Sequence, residues 1–392
     1  MNNEKLIYLD NAATTMVCPH AILACVQAMK DTFGNPSSLY SLGFHAEKLV
    51  KDAKETVLSE LGLSDQGNLY FTASATEANN IALFGGYNAA KRERNTVISF
   101  ATHHPSVKLT VEELEKLGAD VISGEPDENG IYDPEKIEAV LSSLEPTDYP
   151  AIFTMISVNN ETGAVCDVPE IARIVKKHFP KTLIHVDLSQ SFCKLNIDLS
   201  DVDLVTISGH KAYAPKGVGG LFVRNGVRIS PIMFGGDQQD GIRPGTESVS
   251  LIAAFAAAIQ YCAEQKRTAF ENAAELNKHL RERLSEMDGV VINSAPPKNS
   301  SPYILNFSLL GAKSENVIHT MEAENIFISA GSACSRGKTS HVLAAMGITD
   351  KARLDGSLRI SLAFDTTMED VDAFLVAIRQ IIEKYIKTGI WR

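Results

Sequence analysis

Two residues carry the strongest chemical signal in the chain. Lys211 stands in the run Ser208-Gly209-His210-Lys211, between apolar stretches over 204–207 and 219–223. The first stretch reads as a buried strand leading into the lysine and the second as a strand running back out. Lys211 then lies at a strand mouth among small residues, beside a hydroxyl and an imidazole. Such a setting favours a lysine that must lose its proton, because desolvation and nearby positive charge lower its pKa. Lysines of this kind form Schiff bases with carbonyl compounds, and pyridoxal phosphate is the commonest such cofactor. The alternative is a loop lysine beside a tight turn. Upstream, the apolar run 182–186 ends in Asp187. A pyridoxal phosphate enzyme needs an acid near the pyridine nitrogen, since the protonated ring is its electron sink. Asp also forms turns at strand ends, so the pair says more than either residue.

The surrounding chain alternates strands and helices. Strands are expected at 7–9, 68–72, 96–100, 121–122 and 151–157, and helices at 43–61, from 77 onward, 105–117, 133–144 and 169–179. Continuous β-branched strands separated by helices imply a largely parallel sheet covered by helices, an α/β fold whose ligands bind beyond the strand C-termini. Thr76, His104, Asn160, Asp187 and Lys211 all follow strands and converge on one cleft. The stretch Ala73-Ser74-Ala75-Thr76 joins a strand to a helix N-terminus, which is a natural phosphate cradle or an ordinary capped helix. From residue 250 a long helix to 288 leads into strands at 303–308, 326–328 and 358–362. A final helix opens with a capping box at Thr367-x-x-Asp370 and runs to about 387. This second part reads as a smaller α+β domain.

Composition narrows the classes. The 392 residues exceed one ordinary core, and 44% hydrophobic with 22% charged residues is that of a soluble globular protein. A net charge of -11 argues against nucleic acid as a direct ligand. No run approaches the ~18 apolar residues of a membrane span, and the N-terminus has no signal-peptide pattern, so the expected location is cytoplasmic and away from membranes. Six cysteines are scattered without a C-x-x-C pair, which fits neither a disulfide framework nor a zinc site. Five sit beside apolar residues as small core hydrophobes. Cys334 differs, lying in a run of glycine, serine and charge.

Two patterns mislead. The stretch from Gly331 to Thr339 imitates a nucleotide-binding P-loop, but five residues separate its glycines where the motif needs four. His103 and His104 invite a metal, yet no matching ligand set lies at suitable spacing. His104 as a plate against an aromatic cofactor is the simpler reading, and no metal is expected.

Assembled in order, these stretches resemble the cysteine desulfurases of the class V aminotransferase group. The matching segments include residues 8–15, 33–38, Ala75-Thr76-Glu77, Thr102-His103-His104, 158–163, His185-Val186-Asp187, 208–211, Arg243-Pro244-Gly245-Thr246, Gly331-Ser332-Ala333-Cys334 and 358–361. The resemblance spans almost the whole chain. It implies the fold type I architecture of pyridoxal phosphate transferases: a large cofactor-binding domain over 16–262, and a small domain from 1–15 and 263–392 that carries the Cys334 loop.

The same resemblance implies roles. Lys211 would carry the cofactor, Asp187 pair with its ring nitrogen, His104 stack on the ring and Gln190 bond its phenolic oxygen. Thr76, Ser208 and His210 would hold the phosphate with Ala75 beside them, joined by Thr246 from the other subunit of a homodimer. Asn160, also at the cofactor, would clamp the substrate carboxylate with Arg359. Cys334 would take sulfur from L-cysteine as a persulfide, leaving L-alanine, and deliver it to an acceptor protein, an iron–sulfur scaffold or a tRNA-thiolation enzyme. The loop after Cys334 resembles the short-loop relatives that supply tRNA thiolation. Selenocysteine lyase or another class V aminotransferase activity is the enzymatic alternative. A sulfur carrier or assembly subunit without turnover is the non-enzymatic one.

Overall fold

The computed structural model describes residues 5–145, 149–331 and 339–390. Its first half alternates as the apolar pattern demands. The elements are β1 (Ile7–Tyr8), α1 (Pro19–Asp31), α2 (Ser41–Glu60), β2 (Gly67–Thr72), α3 (Ala75–Ala90), β3 (Thr96–Phe100) and α4 (Pro105–Lys116). Then come β4 (Asp120–Gly124), α5 (Pro134–Ser142), β5 (Pro150–Ile156), α6 (Val168–His178), β6 (Leu183–Asp187), β7 (Leu204–Ser208) and β8 (Gly219–Arg224). Every residue of β3, β5 and β7 is buried, so these strands need apolar side chains on both faces.

Seven strands form one sheet in the order β2-β8-β7-β6-β5-β3-β4. The pairings from β7 through β4 are parallel, and only β8 runs antiparallel, against both β2 and β7. The reversal lets the chain leave Lys211 and return at once, as the apolar run over 219–223 predicts. Because β2 runs with the parallel strands, its C-terminal end lies at the same sheet edge as those of β5, β6 and β7.

The second half contains α7 (Val249–Ser285), β9 (Val290–Ile292), β10 (Ile304–Leu309), α8 (Ser314–Ala323), β11 (Ile326–Phe327), β12 (Ser329–Ala330), α9 (His341–Ala345), α10 (Lys351–Asp355), β13 (Ser357–Ser361) and α11 (Met368–Ile381). A four-stranded antiparallel sheet, β12-β13-β10-β9, is its frame, and β1 pairs with β11. The capping box of α11 forms as expected: Thr367 Oγ1 accepts from the Asp370 backbone N–H at 3.2 Å, and Asp370 accepts from Thr367 N–H at 3.0 Å.

Two large apolar clusters hold these halves. One gathers the sheet's interior with Val249, Phe255 and Cys262 from the front of α7. The other gathers β10 and β13 with Ala273, Leu276, Leu280 and Leu284 from its rear. The single 37-residue helix α7 therefore belongs to both cores.

The sequence reading omits α1, β9, α8 and α10. Helix α1 begins with Pro19 at its first turn, a position proline favours, but it exposes Ile22, Leu23, Val26 and Met29, which blurs the apolar stripe. Of the five cysteines read as core residues, Cys18, Cys166, Cys193 and Cys262 are buried and Cys25 is half-buried. No helix among the described residues is long and apolar enough to cross a membrane.

Candidate active site

The C-terminal strand ends enclose a cavity of about 270 Å³. Ten of the residues singled out in the sequence line it: Ala75, Thr76, His104, Asn160, Asp187, Gln190, Ser208, His210, Lys211 and Arg359. Thr246 is exposed and does not line this protomer's cavity. Cys334 and the P-loop-like stretch around it lie outside the described residues.

Asp187 ends β6 and is 2% exposed. Its carboxylate accepts from Asn79 Nδ2 at 2.9 Å and from the Ser189 backbone N–H at 2.8 Å. Burial alone would raise its pKa, but the hydrogen bonds from Ser189 and Asn79 and the nearby His104 hold it below the usual carboxylate range. A buried anion aimed into a cleft is suited to stabilising a cation there. Lys211 lies one strand away, in the short 3₁₀ turn Gly209–Lys211 that ends β7. That turn is fastened from the N-terminal segment: the His210 carbonyl accepts from Thr15 N–H at 2.9 Å, and Tyr213 N–H donates to Thr15 Oγ1 at 2.9 Å.

Three features make one end of the cavity a cradle for anionic oxygen. Helix α3 starts at Ala75 and directs its first N–H groups inward, and Ser74 caps it by accepting from Glu77 N–H at 3.2 Å. Gly219 lets β8 approach that turn, since a Cβ there would stand 3.0 Å from the Ser74 carbonyl carbon and 3.2 Å from Ala75 N. Ser208 Oγ is buried with no hydrogen-bond partner among the described residues, as is Gln190 Oε1, while Gln190 Nε2 donates to the Ala12 carbonyl at 2.9 Å. Buried polar atoms of this kind are rare unless a ligand completes them.

The two histidines are neutral rings. Burial, followed by the charge of Lys211, lowers His104 to about 4 and His210 to about 4. His104 Nδ1 accepts from the Ser106 N–H at 3.2 Å and so caps α4, which leaves its proton on Nε2. Pro105 at the first helical position keeps His104 extended and its ring in the cavity wall. His103 points away into the core, donating from Nε2 to the Thr154 carbonyl at 3.1 Å. The adjacent imidazoles therefore diverge, and no metal-binding cluster is found among the described residues.

Arg359 comes from β13 in the second half and is 1% exposed. Its guanidinium donates to Asp10 Oδ1 and to the Asn160 carbonyl, both at 2.7 Å. Sequence reasoning gave no role to Asn79 or Asp10. Asn79 had a readable signal: it is a fully buried amide among Ala78, Ile81 and Ala82 on one helix face. Asp10 had none, because its partner is 349 residues away.

Comparison with known proteins places this arrangement. The profile of the class-V aminotransferases matches residues 7–374. A cysteine desulfurase of Nostoc sp. is 35% identical over 394 residues, covering 97% of this chain and 94% of that protein. A solved NifS-like protein superimposes with a TM-score of 0.89 at 30% identity, covering 97% of this chain and all of that one. SspA, solved in complex with cysteine, superimposes at 0.76 with 30% identity, covering 91% of this chain and 98% of its own. With a carboxylate and a lysine on adjacent strand ends of the same architecture, the chain belongs to the class-V aminotransferase family, among its cysteine desulfurases.

Proposed function

We propose that this chain converts L-cysteine to L-alanine and leaves the sulfur as a persulfide on Cys334, using pyridoxal phosphate held in the cavity described above. The observation that carries the reading is the convergence of buried, ionised Asp187, Lys211 and the unpartnered Ser208 and Gln190 oxygens on one cleft. The donor set fits that cofactor. Ala75, Thr76, Ser208 and His210 suit a phosphate, Asp187 a protonated ring nitrogen, and the His104 ring a flat aromatic face. Pyridoxal phosphate supplies an electron sink that weakens bonds at the carbon bearing the substrate's amino group.

The chain's own residues do the rest. Lys211 Nζ takes the α-proton of cysteine and returns a proton to the product skeleton. Asn160 and Arg359 hold the substrate carboxylate, with Asp10 fixing the guanidinium's orientation. The sum is balanced: cysteine and the Cys334 thiol become alanine and the Cys334 persulfide. Delivery is to an acceptor protein of the iron–sulfur or tRNA-thiolation machinery, in the cytoplasm.

The working unit in this reading is a homodimer. Residues 16–44 expose Met16, Leu23, Met29, Phe33, Leu39, Tyr40 and Phe44, and Phe234 is exposed in the loop before Arg243. So much exposed apolar surface suits burial against a second copy. Thr246 would then reach the neighbour's phosphate. Its loop is anchored at home by the Arg243–Glu77 ion pair at 2.9 Å.

Incubation with L-cysteine followed by mass spectrometry tests the reading. The wild type should release alanine and gain one sulfur atom on Cys334. The Cys334→Ala variant should still exchange the α-proton of cysteine with deuterated solvent, yet form little alanine. Wild-type alanine release from Cys334→Ala would make the protein a lyase instead.

A further inference from the structure

Ser106 is a buried hydroxyl in the cavity wall that the mechanism above leaves unused. It takes the second position of α4, is 9% exposed and lines the cavity together with His104 and Asp187. The helix itself does not call for a serine there. Its cap uses the Ser106 backbone N–H, which an alanine would supply equally well. A buried hydroxyl is costly unless hydrogen bonds replace its water, so its partners define what it is for.

Those partners form one relay across three elements. Asp187 ends β6, Asn79 stands in the first half of α3, and His104 and Ser106 open α4. Asn79 Nδ2 donates to Asp187 Oδ2 and to Ser106 Oγ, both at 2.9 Å, and Ser106 Oγ lies 2.8 Å from His104 Nδ1. The direction of every bond follows from the first. Ionised Asp187 can only accept, so the amide must turn Nδ2 toward it, because a reversed amide would set oxygen against oxygen. Asn79 then spends both Nδ2 hydrogens on Asp187 and Ser106. Its Oδ1 is buried without a partner among the described residues, a cost accepted for this orientation.

Ser106 Oγ, accepting from Asn79, has its own proton left for His104 Nδ1. The Ser106 N–H reaches the same nitrogen at 3.2 Å, so two donors converge on it. Burial and then the charge of Lys211 disfavour the imidazolium, with Asp187 opposing them and His341 adding to them. None of these effects chooses between the two neutral tautomers. That choice belongs to the hydrogen bonds at the ring nitrogens.

We propose that Ser106 is a positioning residue of the active site, oriented by Asn79 and Asp187, whose hydroxyl fixes His104 as the tautomer protonated on Nε2 and so offers the cavity a hydrogen-bond donor rather than an acceptor. The inference rests on this cavity being the site of the proposed reaction. It joins the acid read as the ring-nitrogen partner to the imidazole read as the stacking plate through one amide and one hydroxyl, so two walls of the cavity are set together.

Nitrogen NMR of the full-length protein, grown on isotope-labelled histidine and saturated with pyridoxal phosphate, reads the tautomer directly. At neutral pH the wild type should show His104 Nδ1 unprotonated and Nε2 protonated, with a His104→Asn spectrum identifying the signals. Ser106→Ala should lower the ratio of this tautomer to the other by about tenfold, the weight of one hydrogen bond, and slow alanine release from cysteine several-fold. Ser106→Thr, which keeps the hydroxyl, should restore both. A proton on Nδ1 in the wild type overturns the inference, a result that depends on no variant folding. An unchanged ratio in Ser106→Ala overturns it too, as does a changed ratio with undiminished alanine release. A wild type that releases no alanine would instead refute the proposed reaction, and the ring signals would still decide the tautomer.

Discussion

Asp187 owes its charge to two hydrogen bonds as much as to its neighbours. Asn79 and the Ser189 N–H both favour the ionised form, so the carboxylate stays charged although it is buried. Asp187→Asn preserves the shape and removes the charge. Turnover measured as alanine release should fall by at least about 100-fold, the scale of a lost proton-handling group. A decrease of only a few-fold would show that the ring-nitrogen partner is elsewhere. This residue and Lys211 were legible because each ends an uninterrupted apolar run, a local signal. Asn79 offered only a buried amide on an apolar helix face, with its partner 108 positions away, and Asp10, 349 positions from its partner, offered nothing.

Between residue and element stands the turn over 159–163. Asn159 Oδ1 accepts from the N–H groups of Glu161 at 2.9 Å and Thr162 at 3.0 Å, and Gly163 with φ 75° turns the chain back. The turn buries Glu161, whose carboxyl accepts from Ser340 Oγ at 2.5 Å, and Ser340 caps α9 by accepting from Leu343 N–H at 3.0 Å. Desolvation by burial raises Glu161 to about 7, against the opposing effects of Ser340 and Arg359. A folded-state value raised above the unfolded one contributes stability that is complete below the unfolded pKa of 4.5 and is lost as pH rises through about 7. Glu161→Gln should flatten that part of the pH profile and be at least as stable as the wild type above pH 7. Denaturant titrations across the window will show it, and an unaltered decline would acquit Glu161. At this scale the sequence placed most elements to within a few residues, because strand burial and helix capping are local. Helix α1 escaped notice because its exposed Leu23 and Met29 blur the apolar stripe that marks a helix packed on a core.

For the whole molecule, the decisive question is whether one site draws on two chains. Thr246 is exposed on the protomer while every other described cofactor-binding candidate lines the cavity. Thr246→Ala and Lys211→Ala subunits, mixed and exchanged, should yield heterodimers with one complete site and more activity than either parent. Mixed dimers that remain as inactive as the parents would locate Thr246 outside the site. Nothing in the sequence alone could have separated these cases, since exposed apolar residues read the same on a monomer as on a subunit.

The helix shared by both cores has a thermodynamic consequence. Cys262 anchors its front half in one cluster and Ala273 begins its rear half in the other, with an exposed stretch around Gln265 between them. Helix propagation is cooperative, so melting of either end exposes the other. The two cores should therefore unfold together, in one calorimetric peak whose van't Hoff and measured enthalpies agree. Gln265→Pro breaks the helix in this exposed stretch and should divide that peak in two. In that sense α7 acts less as a connector than as the coupling that makes two hydrophobic interiors a single melting unit.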